Sequence, residues 1–124
     1  EIIFEQTGEY TKLVRFPGGS SNTVSHFNPG IMTRLTNDLN DMGYAYFDWN
    51  VSAADTASDA TRYTVIENFK ESVPKHDYSV VLQHDTNAFS VDAVEEILSW
   101  GIKNGYSFRA LDLTSPAVHH SVAN

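Results

Sequence analysis

Three polar residues follow stretches of the chain that have the composition of β-strands. Arg15 follows Leu13–Val14, Asp55 comes a few positions after an aromatic-rich stretch, and His84 follows a β-rich stretch that ends at Leu82. In parallel α/β folds the carboxyl ends of the strands meet at one edge, and the chemistry lies there. A hydrogen bond or ion pair from Asp55 would orient the imidazole of His84, and such a histidine can donate a proton to a leaving group at neutral pH.

Each of these residues also has a structural interpretation when it is taken alone. Arg15 would form a surface ion pair, Asp55 would cap a helix, and His84 would be a hydrogen-bonded core residue. Their convergence at the ends of predicted strands is what favours a functional site. The doublet His119–His120 is a weaker candidate for metal binding because adjacent residues rarely chelate one ion. Asp48 is predicted to be buried and hydrogen-bonded rather than to be a ligand.

Helical periodicity and short apolar runs alternate along the chain. The predicted helices are Pro29–Met42, Thr61–Val73 and Val91–Asn104, with Asn28 and Ser90 as N-caps and Gly43 and Gly105 as stops. The predicted strands are Leu13–Val14, Tyr44–Val51, Tyr78–Leu82 and Tyr106–Leu111. This order predicts an α/β fold of four parallel strands alternating with three helices, about half of a distorted (β/α) barrel.

Composition excludes several classes of protein. The chain has 124 residues, a net charge of −8, 41% hydrophobic residues and no cysteine. The acidic balance argues against binding to nucleic acid, and the absence of cysteine excludes disulfides, thiolate zinc sites and cysteine nucleophiles. No apolar run reaches the roughly 18 residues of a membrane span. The chain opens at Glu1 without an initiator methionine, which indicates a processed or excised fragment, a trimmed chain being the alternative.

A half barrel would leave two strand edges unpaired and one face of its inner core uncovered. The chain could therefore form an open doubly wound sheet, pair with a second copy of itself, or need an amino-terminal half to complete it. We expect either that half or a second copy as a partner.

Three segments resemble sequence signatures of one enzyme family. The family is that of the polysaccharide deacetylases, the NodB-homology carbohydrate esterases. RFPGGS at Arg15–Ser20 resembles its third signature. WNVSAAD at Trp49–Asp55 resembles the fourth, and LQHD at Leu82–Asp85 resembles the fifth. Their order, spacing and placement after predicted strands all agree. The resemblance runs from about Thr7 to the end, which implies that residues 1–124 are the carboxyl-terminal half of such a domain.

The resemblance implies a metal-dependent hydrolysis of acetamide groups to amine and acetate. In the family a divalent metal, zinc or similar, activates the attacking water, and a histidine protonates the departing amine. By this resemblance His84 would be the general acid and Asp55 would orient it. Arg15 would pair with the catalytic base, the Gly18 N–H would serve the oxyanion, and Leu82 would line the pocket for the acetyl methyl group.

Two departures from the family pattern bear on this assignment. Asp55 is followed by Thr56 where the fourth signature has tryptophan, so one wall of the acetyl pocket is missing or supplied from elsewhere. The first and second signatures, which carry the base and the metal ligands, have no counterpart in the chain. We therefore expect the chain to supply the acid, to contain no metal ligand, and to be inactive and bind no metal alone.

The leading functional hypothesis is a polysaccharide N-deacetylase acting on acetylated cell-wall or chitin-like sugars, located outside or on the surface of a bacterial cell. Trp49 is expected to contact the sugar. The alternative is a non-catalytic carbohydrate-binding relic of the same fold, with Trp49, Tyr44 and Tyr46 as platforms for sugar rings. A regulatory α/β domain that merely shares the edge residues is a third possibility.

Overall fold

The computed structural model describes residues 1–124 as short parallel strand pairs connected by helices. The helices are α1 (Ile2–Thr7), α2 (Ile31–Asp41), α3 (Arg62–Ser72) and α4 (Ala88–Lys103). The strands are β1 (Leu13–Val14), β2 (Ala45–Tyr46), β3 (Val51–Ser52) and β4 (Val81–Leu82), and 3-10 turns cover Val24–Phe27 and Val73–Lys75. None of the helices combines the length and the apolar character needed to cross a membrane.

The chain divides into two compact units. The first unit comprises Glu1–Asp48 together with Leu111–Asn124, and the second comprises Trp49–Ala110. Each unit contains one pair of parallel strands, β1 with β2 in the first and β3 with β4 in the second.

In the first unit, α2 connects the paired strands β1 and β2, which lie in the register Leu13 to Ala45. The carboxyl-terminal segment adds backbone hydrogen bonds, because Asp48 N donates to Val118 O at 2.8 Å and Thr33 N donates to Asn124 O at 2.7 Å. The buried apolar side chains of this unit are Met32, Tyr46 and Phe47.

In the second unit, α3 connects β3 to β4 and α4 follows β4, which is the connectivity of a βαβ unit. Asn50 starts the ladder: its Nδ2 donates to Tyr78 O and its Oδ1 accepts from Val80 N, both at 2.8 Å. Both ends of this amide therefore bind backbone groups at the start of β4's segment. The core side chains are Val51, Ala53, Val65, Ile66, Phe69, Val73, Ala93 and Ile97.

Three predicted helices are present, but two of their predicted N-caps are wrong. Helix α2 begins after Gly30, whose backbone is left-handed at φ 78°, and the Asn28 side chain accepts from Arg34 rather than from the helix backbone. Helix α4 begins three residues earlier than predicted, with Asn87 as N-cap rather than Ser90. The predicted glycine stops are confirmed: Gly43 and Gly105 adopt φ values of 73° and 85°, which glycine reaches at little cost.

The predicted strands are shorter than the sequence indicates, and one is absent. The segment predicted over Tyr44–Val51 divides into β2 and β3, and the one predicted over Tyr78–Leu82 is reduced to β4. No strand forms over Tyr106–Leu111, because no strand pairs with its backbone, and its aromatic rings pack on side chains of α3 and α4. Phe108 lies so close to Gly101 of α4 that a Cβ there would be 2.5 Å from its ring. The structure thus has parallel strands and helices of the α/β class, while the four-stranded half barrel remains a prediction.

Candidate functional site

Asp55 and His84 form a directly bonded pair at the carboxyl ends of two adjacent parallel strands. Asp55 lies three residues after β3 and His84 two residues after β4. His84 Nδ1 lies 2.9 Å from Asp55 Oδ1, and His84 N donates to Asp55 Oδ2 at 2.6 Å. A carboxylate only accepts hydrogen bonds, so Nδ1 carries the hydrogen and Nε2 is the nitrogen that can exchange a proton.

The two members of the pair differ in their exposure to solvent. The carboxylate is almost completely buried, with 2% of the Asp55 side chain exposed, whereas 31% of the His84 side chain is exposed. His84 Nε2 makes no hydrogen bond within the chain. The carboxylate thus holds the inner edge of a ring whose outer edge is available to an external group.

The carboxyl group of Asp55 is held in its ionised form. Burial raises its pKa, but hydrogen bonds from Ser90 Oγ and from the Nδ1 and backbone N of His84, with the charge of His84, outweigh burial and leave the pKa below its ordinary value. The charged carboxylate is the state that can accept from Nδ1 and stabilise a protonated imidazole. Its ionisation therefore suits a histidine that donates a proton.

The loop before Asp55 is fixed by contacts to both helices of its unit. Ala54 has a left-handed backbone at φ 52°, which costs a non-glycine residue roughly 1–2 kcal/mol. Asn68 of α3 donates to Ala53 O at 3.2 Å, and Asn87 at the start of α4 donates to Asp55 O at 2.9 Å. These bonds hold a strained turn that aims the carboxylate at His84.

A concavity of about 300 Å³ lies beside the imidazole, lined by Gln83, His84, Asp85, Val91 and Val94. The two valines give it an apolar wall.

Leu82 and Trp49 are the two predicted substrate-binding residues of the second unit. Leu82 is half-buried at the end of β4, opposite Ser52 of β3, and Trp49 is half-buried. Contact of either side chain with substrate stays a prediction.

Arg15 and Gly18 belong to the first unit, so their predicted convergence with Asp55 and His84 stays a prediction. Arg15 is exposed and forms no ion pair with any acidic side chain of the chain. The surface ion pair that its structural interpretation predicts is therefore absent. Gly18 adopts φ 70°, a left-handed conformation that favours glycine. A Cβ there would lie 3.1 Å from the Cβ of Asn22. Its N–H makes no hydrogen bond within the chain.

The histidine doublet and Asp48 form a structural cluster in the first unit. Asp48 accepts from Ser20 N at 2.8 Å, from Ser20 Oγ at 2.5 Å and from His120 N at 2.9 Å. The ring of His119 stacks on Tyr46, with centroids 3.9 Å apart. Asp48 is thus buried and hydrogen-bonded, as the sequence analysis predicted.

The residues of the chain do not fit a metal site. No three of its histidine, aspartate and glutamate side chains come together in a group that could hold an ion. The divalent metal that the resemblance implies would need ligands from outside this chain.

Comparisons with known proteins point to one group of enzymes. The chain is 30% identical over 124 residues to the polysaccharide deacetylase YheN of Bacillus subtilis, and 31% identical over 114 residues to a peptidoglycan-N-acetylglucosamine deacetylase of Bacillus cereus. It spans 41% and 39% of the lengths of those two relatives. No protein-family model matches the chain.

Solved structures give the same result. The chain is 50% identical, with a TM-score of 0.94, to the catalytic domain of peptidoglycan N-acetylglucosamine deacetylase from Eubacterium rectale, covering 99% of this chain and 57% of that one. A polysaccharide deacetylase of Bacillus cereus is 28% identical with a TM-score of 0.72, over 90% of this chain and 52% of that one. The resemblance to the polysaccharide deacetylases is therefore confirmed, and this chain corresponds to part of their catalytic domain.

Proposed function

We propose that this relative of the polysaccharide deacetylases is the carboxyl-terminal half, residues 1–124, of a NodB-homology domain that removes acetyl groups from acetylated cell-wall or chitin-like sugars. The reaction hydrolyses an acetamide to an amine and acetate. The observation that carries the proposal is the Asp55–His84 pair, whose buried carboxylate binds Nδ1 at 2.9 Å while the other ring edge stays accessible. Both residues stand in segments that resemble the family signatures.

The role proposed for His84 is that of general acid. Water attacks the acetyl carbonyl while the catalytic base, which would come from outside this chain, takes one of its protons. The tetrahedral species then collapses by breaking its C–N bond. Nε2 of His84 gives its proton to the departing nitrogen, so that the amine leaves neutral. Asp55 keeps the hydrogen on Nδ1 and stabilises the protonated ring before the transfer. Assistance of this kind is typically worth about 10²–10⁴ in rate.

Four further residues receive roles from the same resemblance. Arg15, exposed and without an ion pair in the chain, would pair with the catalytic base carboxylate. The unengaged N–H of Gly18 would donate to the oxyanion. Leu82 would contact the acetyl methyl group, and Trp49 would contact the sugar.

The chain supplies only part of this site. The base and the metal ligands would come from an amino-terminal half, so we expect the 124-residue chain alone to release no acetate and to bind no divalent metal tightly. The bound metal would polarise the acetyl carbonyl and lower the pKa of the attacking water. A cell-wall polymer as substrate supports the further proposal that the complete protein acts outside or on the surface of a bacterial cell.

Acetate release from acetylated glucosamine oligosaccharides by the complete protein tests the proposal. We expect His84→Ala to lower kcat by about 10²–10⁴-fold with little change in KM, because a general acid acts mainly in the transition state. His76→Ala is the matched control, since His76 lies in the same unit outside the pair. Equal turnover by both variants contradicts the proposed acid. Oligosaccharide binding without any wild-type turnover supports the carbohydrate-binding relic instead.

A further inference from the structure

We propose that Ser90 is a positioning residue, whose hydroxyl fixes the carboxylate of Asp55 so that its other oxygen faces the imidazole of His84. The effect of Ser90 on catalysis rests on the proposed function, whereas the hydrogen bonds that position Asp55 lie within the second unit. Sequence periodicity predicted Ser90 as a helix cap, whereas its hydroxyl is directed at Asp55.

The hydrogen bonds of Asp55 are divided between its two oxygens. Oδ2 accepts from Ser90 Oγ at 2.6 Å and from His84 N at 2.6 Å. Oδ1 accepts from His84 Nδ1 at 2.9 Å. Because two short bonds hold Oδ2, the carboxylate plane cannot rotate freely, and Oδ1 stays directed at the ring.

Ser90 is itself held in place by its surroundings. It is completely buried in the first turn of α4. Gln83, the residue before His84, donates from Nε2 to Ser90 O at 2.6 Å, and Asn87 at the N-cap donates to Asp55 O at 2.9 Å. The start of α4 is therefore bonded to both loops that carry the pair, and the hydroxyl has a fixed position from which to donate.

Removal of the hydroxyl has a defined chemical consequence. Water cannot readily replace the lost donor at a buried carboxylate, so the charge on Asp55 becomes less stabilised and Oδ2 keeps only the backbone N–H of His84. The carboxylate then gains freedom to turn away from Nδ1. Asp85 is the other titratable residue that lines the concavity beside His84, and it stays unchanged in such a variant.

The test compares two substitutions of Ser90 with a substitution of Ser79, a half-buried serine whose hydroxyl oxygen is also buried. Ser90→Ala removes the hydroxyl, and Ser90→Cys replaces it with a weak donor of similar size, which serves if the alanine variant does not fold. Ser79→Ala is the control, because its Oγ is buried in the same unit without any hydrogen-bond partner. The complete protein is used throughout, with ¹³C-labelled carboxyl groups.

We expect the titration midpoint of the Asp55 carboxyl carbon to move to higher pH in both Ser90 variants and to stay in place in Ser79→Ala. The Nδ1 proton of His84 should exchange faster with water in the Ser90 variants. The kcat for acetate release should fall by about 10–150-fold, the range that corresponds to one hydrogen bond to a charged group, with little change in KM.

An unchanged Asp55 midpoint and unchanged Nδ1 exchange in a folded Ser90 variant overturn the positioning role, as does an equal shift in Ser79→Ala. These spectroscopic readouts need no activity. A wild-type protein without deacetylase activity would therefore overturn the proposed function while the role of Ser90 is still decided by the spectra.

Discussion

Two aspartates, Asp48 and Asp55, are almost completely buried. The groups that donate hydrogen bonds to each carboxylate indicate a structural role for Asp48 and a functional role for Asp55. Asp48 is 1% exposed and Asp55 is 3% exposed. All donors to Asp48 are backbone N–H groups or a serine hydroxyl, so its charge fixes backbone segments. Asp55 also accepts directly from an imidazole nitrogen, and the outer edge of that ring is open to solvent, which makes Asp55 a candidate for chemistry.

Asp48→Asn should destabilise the first unit by about 1.5–3 kcal/mol at neutral pH, the typical value of a hydrogen bond to a charged group. In the variant, the NH₂ group of asparagine replaces one carboxylate oxygen and faces an N–H or O–H that donated to that oxygen. This donor is then left without an acceptor. Thermal and urea unfolding measure the loss. Asp38→Asn, at an exposed position of α2, should stay within about 0.5 kcal/mol of wild type.

The destabilisation by Asp48→Asn should depend on pH. Burial raises the pKa of Asp48, but the bonds from Ser20 and His120 outweigh burial and leave it below the ordinary value. The advantage of wild type is therefore complete above the ordinary aspartate pKa of about 3.9 and is lost as the pH falls through the lower pKa of the folded state. A difference between the proteins that grows on acidification would contradict this linkage.

At the scale of the elements, α4 presents two apolar faces that differ in burial. Ala93, Ile97 and Gly101 face the core of the second unit and are buried. A second stripe of the same helix is exposed and consists of Val91, Val94, Leu98 and Ile102. Helical periodicity detects apolar positions on both faces, so it does not distinguish the stripe that packs within the chain from the stripe left on the surface.

Two identical substitutions on α4 should therefore differ sharply in their effect on stability. Ile97 is 4% exposed and Ile102 is 67% exposed. Ile97→Ala removes buried methyl groups and leaves a cavity, which costs about 2–5 kcal/mol. Ile102→Ala should change the free energy of unfolding by no more than about 0.5 kcal/mol. Urea denaturation of the 124-residue chain measures both, and comparable losses would show that the exposed stripe is covered in solution.

The sequence predicts the helices from local apolar spacing, and it predicts the central pair because parallel strands bring their carboxyl ends to one edge. Apolar spacing locates α2, α3 and α4, and placement after strands brings Asp55 and His84 together. The strand boundaries could not be predicted, because ladders form only where a partner strand lies alongside, and Tyr106 and Phe108 pack on aromatic rings instead.

Ser90 shows why the role of some site residues cannot be predicted from the sequence. A serine near the start of a helix fits the N-cap pattern, and only the position of α4 relative to Asp55 reveals that its hydroxyl has another acceptor. The donors to Asp48 lie 28 and 72 positions away along the chain, beyond the reach of any local pattern. The sequence does not predict helix α1 either, because its six residues bury no side chain and show no core-facing stripe.

At the scale of the whole molecule, the two units differ in how they are stabilised. The buried apolar side chains of the first unit are Met32, Tyr46 and Phe47. Those of the second unit are Val51, Ala53, Val65, Ile66, Phe69, Val73, Val80, Ala93 and Ile97. A two-stranded ladder is marginal on its own, so the first unit depends more on polar bonds such as those of Asp48 and the second on its apolar core.

Native-state amide hydrogen exchange should therefore resolve two levels of opening. Amides of α3 and α4 pack around the larger core and should exchange only through the opening of highest free energy. Amides of α2 should exchange through a smaller opening with a lower free energy. The free energy of this opening should depend less steeply on denaturant concentration, since the opening exposes less surface. Asp48→Asn should lower the opening free energy of α2 while leaving that of α3 and α4 unchanged, and Ile97→Ala should do the reverse. If all three helices instead share one opening free energy and one denaturant slope, the chain unfolds as a single cooperative unit, and its two units are not stabilised separately.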